Sequence, residues 1–115
     1  MTGREELVAR WLELTRVILP GMAATAGWPI ALDHCFMRVF LDHAMGQRWD
    51  ATVKRPAIRH MPADAFQRAV ALAELVIIEP TRLPALNARS LEWRRVQRRV
   101  RAGAGAGAGG TRGGA

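Results

Sequence analysis

The segment WPIALDHCFMRVFLDH, from Trp28 to His43, holds the densest set of groups able to do chemistry. Asp33, His34 and Cys35 are consecutive, and Arg38 and Asp42 follow His34 at four-residue steps. A guanidinium holds a carboxylate or phosphate through parallel N–H donors, and an imidazole moves a proton near neutral pH. On this reading Asp33 and His34 are catalytic candidates, His34 as the base, while Arg38 holds an anionic substrate and Asp42 lines the same site. Cys35 is a further candidate, as a nucleophile, because a nearby guanidinium favours the thiolate. Cys35 and His34 diverge by roughly 100° on a helix, so the two do not form a dyad. His43 or His60 has to approach through the fold instead. Each feature also has a plainer meaning. His34, Arg38 and Asp42 can form a surface ion-pair ladder, Cys35 can be a small buried apolar group, and His43 can be a core histidine bonded to a carbonyl.

A second polar stretch, Lys54 to His60 (KRPAIRH), is basic and stiffened at Pro56. It reads as a loop that closes the site, with Arg55 as a further anion holder and His60 beside it. Its alternative is a solvated turn. Trp28 and Trp49 flank the second helix and are candidate pocket walls, or else core. The three histidines lack the i, i+4 spacing of a helical zinc site. The single cysteine excludes an intrachain disulfide and a cysteine-rich zinc site, so no metal is expected.

Four helices position these groups. Residues 3–19 are amphipathic, with Leu7, Trp11, Leu14 and Ile18 in one row, widened by Val8, Leu12 and Leu19. Thr2 and Glu5 have capping-box spacing, and Pro20-Gly21 predicts the stop. Residues 21–29 read as a loop. A second helix, 30–45, puts Leu32, Phe36, Val39, Phe40 and His43 on one face and His34, Arg38 and Asp42 on the other, and Gly46 ends it. Residues 47–61 are irregular, with room for a short strand at 57–60. The third helix, 63–79, enters through Pro62 and carries Phe66, Val70, Ala73 and Ile77. The fourth, 84–101, turns Trp93, Val96 and Val100 inward. It sends Arg94, Arg98 and Arg101 to the far side, with Arg95 and Arg99 on a flank. The expectation is a small all-α single-domain bundle over 1–101, followed by a flexible Gly/Ala tail over 102–115.

About 100 foldable residues make one domain and exclude a complete dinucleotide-binding sheet. Half of the 115 residues are hydrophobic, enough for a packed core. The formal charge is +7, and most of it lies at one end. Residues 89–115 carry seven arginines against Glu92, whereas residues 1–88 are close to neutral. An anionic partner such as nucleic acid is therefore met first by Arg94, Arg95, Arg98, Arg99 and Arg101. The 16 arginines against one lysine also fit biased coding. Gly105 to Gly110 formally matches G-x-G-x-x-G but opens no helix after a strand, so it is no dinucleotide loop. No apolar run approaches the roughly 20 residues of a membrane span. The N-terminus reads as no signal peptide, and a cytoplasmic location is expected.

Through WPIALDHCFMRVFLD, KRPAIRHM and SLEWR, the chain resembles a group of short microbial proteins, some of them labelled GCN5-related N-acetyltransferase. The resemblance covers roughly residues 28–93. It implies acyl transfer with acetyl-CoA as cofactor. That superfamily's pyrophosphate loop, Gln/Arg-x-x-Gly-x-Gly/Ala, does not occur here, so the resemblance assigns no catalytic residue. Two functional expectations follow. One is a ligand-binding or transferase-type domain for a small anion, with its site on the second helix. The other is a nucleic-acid-binding or accessory protein using the Arg-rich fourth helix.

Overall fold

A computed structural model describes residues 3–109, with side chains described for 3–100. Thr2, Arg101 as a side chain, and residues 110–115 lie outside the described part. So do the proposed Thr2 cap and the end of the proposed tail. The described residues are helical and contain no strand. The chain belongs to the all-α class.

The first helical run is longer than its sequence predicts. Helix α1 spans Gly3–Glu13, a π-helical turn spans Leu14–Ile18, and α2 continues over Leu19–Ala26. Pro20 does not stop the run. It lacks an N–H, and its ring clashes with a carbonyl four residues back in an α-helix. The wider π turn relieves that conflict, with the Leu19 N–H reaching the Leu14 carbonyl. The apolar row shifts accordingly. Trp11, Leu14, Leu19 and Ala23 are buried, whereas Ile18 and Met22 lie at the margin. The stop comes at Gly27, whose φ of 68° suits a residue without a Cβ. Its N–H bonds the Ala24 carbonyl, and the Trp28 N–H bonds the Ala23 carbonyl, which is a Schellman termination.

Helix α3, Asp33–Met45, begins three residues later than expected and ends at Gly46 as predicted, with φ 70°. Leu32 caps it in extended conformation and stays 58% exposed, so it leaves the core row assigned to it. The strand considered at 57–60 is instead a single helical turn, α4, Ala57–His60, reached through a cis Arg55–Pro56 bond and a 3₁₀ turn at Trp49–Ala51. A lone strand has no partner for its backbone groups, whereas a turn satisfies them locally. Helix α5, Ala63–Ile78, follows its predicted pattern as far as Ala73, burying Phe66, Ala69, Val70, Ala73 and Val76, while Ile77, placed in the row from sequence, is only partly buried. A 3₁₀ turn, Pro80–Arg82, leads into α6, Leu83–Gly109. The backbone of α6 thus stays helical past Arg101, into the Gly/Ala segment.

Helix α3 lies at the centre, against α5, α6 and the π turn. Phe36, Val39 and Phe40 are fully buried. Trp11 meets Phe40 and Phe66 edge-on, with centroids 6.3 and 5.6 Å apart. Each such pair adds about 0.5–1.5 kcal/mol beyond area burial. Arg10 and Glu74 tie α1 to α5 through two bonds of 2.6 and 2.7 Å, which holds the Glu74 carboxyl below its usual range.

The facing of α6 differs most from expectation. Its buried line is Leu83, Asn87 and Ser90, extended by Arg94 at 15% side-chain exposure. Val96 and Val100 are 42% and 60% exposed. Three polar residues therefore face α3, and two valines do not. The reason is electrostatic: α3 presents a buried carboxylate and a guanidinium that need polar partners.

Candidate functional site

Asp42 is completely buried and accepts four hydrogen bonds. Its Oδ1 takes the Trp49 backbone N–H at 2.9 Å and Arg94 Nη2 at 3.0 Å. Its Oδ2 takes Ser90 Oγ at 2.6 Å and Arg94 Nε at 2.8 Å. The Arg94 fork is bidentate, the strongest geometry for this pair. Asp42 is therefore the anchor of an α3–α6 network, at the back of the candidate site. Arg94, assigned to the far side from sequence, points inward because this carboxylate is there.

Arg38 joins the same network from one turn earlier on α3. Its Nη1 donates to Ser90 Oγ at 2.9 Å and its Nη2 to Asn87 Oδ1 at 2.6 Å. Ser90 accepts from Arg38 and donates to Asp42. Arg38 forms no ion pair with a carboxylate among the described residues, so both of its protein partners are neutral. The chain Arg38–Ser90–Asp42–Arg94 thus holds two guanidiniums against one carboxylate.

A cleft of about 480 Å³ opens in front of this network. His34, Arg16, Arg38, Trp49, Arg55 and Arg94 line it, with Trp11, Met37, Leu41 and Ile58 as apolar wall. Its lining includes four arginines and no acidic side chain. Trp49 is 8% exposed, and the Arg55 guanidinium sits over its ring, 5.4 Å from the centroid. Asp50 holds Arg55 Nη2 at 2.5 Å and Arg48 Nε at 2.6 Å. The Arg48 bond is the larger cause that lowers the Asp50 carboxyl to about 2, with burial opposing and Arg55 assisting. Arg4 reaches the Ile58 carbonyl at 2.8 Å and fixes the α4 turn against α1.

The structure brings together five residues named from sequence: His34, Arg38, Trp49, Arg55 and, behind the wall, Asp42. It separates the others. Asp33, the first residue of α3, does not itself line the cleft, but it accepts the His34 N–H at 2.7 Å and lies 3.5 Å from His34 Nδ1 and 4.0 Å from Arg16 Nε, both of which do. Cys35 is a partly buried free thiol that does not line it. Trp28 donates its Nε1 to the Pro80 carbonyl at 2.8 Å and packs edge-on against Phe36. His60 ends α4, exposed and away from the lining. His43 bonds the Leu86 carbonyl at 2.9 Å and stacks edge-on with Trp93, the core role considered for it. Sequence reasoning missed Ser90, Asn87 and Arg16. A signal was present for the first two. Asn87, Ser90 and Arg94 repeat at steps of three and four, complementary to the His34, Arg38, Asp42 stripe.

On α6, Arg95 pairs with Glu92 at 3.1 Å, while Arg98 and Arg99 are exposed. Among the described residues no cluster of His, Cys, Asp and Glu could hold a metal ion, and no helix is long and apolar enough to cross a membrane. No family model matches the chain, and no curated protein or solved structure proved significantly similar to it.

Proposed function

We propose that the cleft binds a small organic anion, with its charge on Arg38 and Arg94 and its apolar body against Trp49, Met37 and Leu41. One observation carries the reading. The half-buried Arg38 has only neutral partners, so its network holds an uncompensated positive charge beside a cleft without carboxylates. A charge withdrawn from water needs a counter-charge, and an anionic ligand supplies it. His34, exposed at the rim, is the candidate base if a transferase-type reaction follows binding. Acyl transfer from acetyl-CoA rests on the resemblance alone.

The test is titration calorimetry with a panel of aromatic and aliphatic carboxylates and phosphates. Arg38→Gln is expected to weaken any binding by about tenfold or more, because a hydrogen bond to a charged group is lost. Asp64→Asn, on the exposed side of α5 and paired with Arg68, serves as the matched control and keeps the affinity. No binding by any anion, or equal binding by Arg38→Gln, overturns the reading.

A second reading, nucleic-acid contact through the outer half of α6, has one observation in its favour. Arg98 and Arg99 are exposed and form no ion pair among the described residues. Replacing both with Ser is expected to reduce the salt slope of duplex binding by about two phosphate contacts. An unchanged slope sinks it.

A further inference from the structure

The cleft carries a second excess charge. Asp50 is held directly by both Arg48 and Arg55, again a network of two guanidiniums and one carboxylate. The two arrangements meet at Trp49. Asp42 holds the Trp49 backbone N–H, and Arg55 covers the Trp49 ring. Arg38 and Arg94 of the first group and Arg55 of the second line the same cleft. Arg55 is 69% exposed on its side chain, so its guanidinium is open to a ligand.

Donor capacity points the same way. A guanidinium offers five N–H donors. Arg38 and Arg94 each spend two on protein partners, which leaves three apiece. The four bonds to Asp42 occupy both of its oxygens, so it does not compete for these donors. A carboxylate ligand offers two oxygens and one charge. A phosphate monoester offers three oxygens and, above its second pKa of about 6, two charges.

We infer that the cleft is built for a dianionic phosphate monoester on an apolar or aromatic body, with Arg38 and Arg94 taking one part of the charge and Arg55 the other. This inference rests on the anion-binding reading and narrows it to one chemical class. Trp49, with Arg55 over its ring, and the neighbouring Met37 and Leu41 form the apolar part of the lining, which suits a hydrocarbon or ring substituent.

Phenyl phosphate and phenyl sulfate share a tetrahedral head and the same ring but differ by one charge at pH 8. Calorimetry of the full chain with each, in phosphate-free buffer, separates the possibilities. Phenyl phosphate is expected to bind about tenfold or more tightly than phenyl sulfate, the size of one added charge-assisted contact. Arg55→Gln is expected to bring that ratio to within about twofold of unity. Arg38→Gln is expected to weaken both ligands together, with circular dichroism confirming that each variant is folded. Equal affinity for the two ligands in the unaltered protein overturns the dianion inference and leaves the anion reading standing. A preference that survives Arg55→Gln overturns the role of the second charge group. Binding of neither ligand overturns the inference, and the anion reading is then decided by the carboxylate titrations.

Discussion

Asp42 and Asp50 lie eight residues apart, and each sits in a network of two guanidiniums, one of Asp42's reaching it only through Ser90, yet they do different work. Asp42 has no exposed surface and draws donors from the Trp49 turn and from α6, about fifty residues away. Asp50 keeps 10% of its side chain exposed and takes both arginines from its own neighbourhood, two residues before it and five after. The difference is one of dielectric and reach. At Asp42 every donor would be stranded if the carboxylate left, because water does not reach it. At Asp50 water replaces part of what is lost. The first group therefore sets the position of α6 on α3, and the second sets the shape of a loop.

That contrast is open to direct test. Asp42→Asn keeps the shape but leaves the Arg94 guanidinium without its counter-charge. It is expected to cost about 3–5 kcal/mol, measured by urea unfolding. A cost under about 1 kcal/mol would break the comparison. Ser90→Ala removes one donor from Asp42 and one acceptor from Arg38, for about 1.5–3 kcal/mol. Its thermal midpoint is expected to fall clearly, by several degrees at the usual scale for a domain of this size. Asp50→Asn is the smallest, about 1–2 kcal/mol at neutral pH once the exposure of Arg55 is allowed for. Its sign with pH is fixed. The Asp50 carboxyl is lowered from 3.8 to about 2 in the folded protein. Its contribution is full above the unfolded value and is lost as pH falls towards 2. The gap between the original chain and Asp50→Asn should close across that window in acid unfolding, and a gap that widens instead would contradict the pairing.

Much of the fold was legible because helical periodicity is a local property. Phe36, Val39 and Phe40 on α3, and Phe66, Val70 and Ala73 on α5, fall on their buried faces from spacing alone. Where reading failed, a distant group decided the outcome. Trp93, Val96 and Val100 form an apolar stripe, and a stripe is normally taken as the inward face. Here Trp93 does turn inward, against His43, but Val96 and Val100 do not, and the rest of this face is Asn87, Ser90 and Arg94, because α3 brings Asp42 and Arg38 opposite them. The cleft was half legible for the same reason. His34, Arg38, Trp49 and Arg55 were found by residue type, but Cys35, His60 and Trp28 have the same qualifications and point elsewhere. Arg16 carried no signal, since its approach depends on the register of the run that holds it.

The π turn at Leu14–Ile18 has a consequence for anyone rewriting this chain. It acts as a phase shift: the inward series runs Leu14, Leu19, Ala23, one residue behind an unbroken helix. A redesign that numbered α1 and α2 as one regular helix would seat Ile18 and Met22 where Leu19 and Ala23 belong. Met22 would then be pressed into a space shaped for a methyl group. Such a sequence could score well on every local preference and still be one step out of tune with the rest of the bundle.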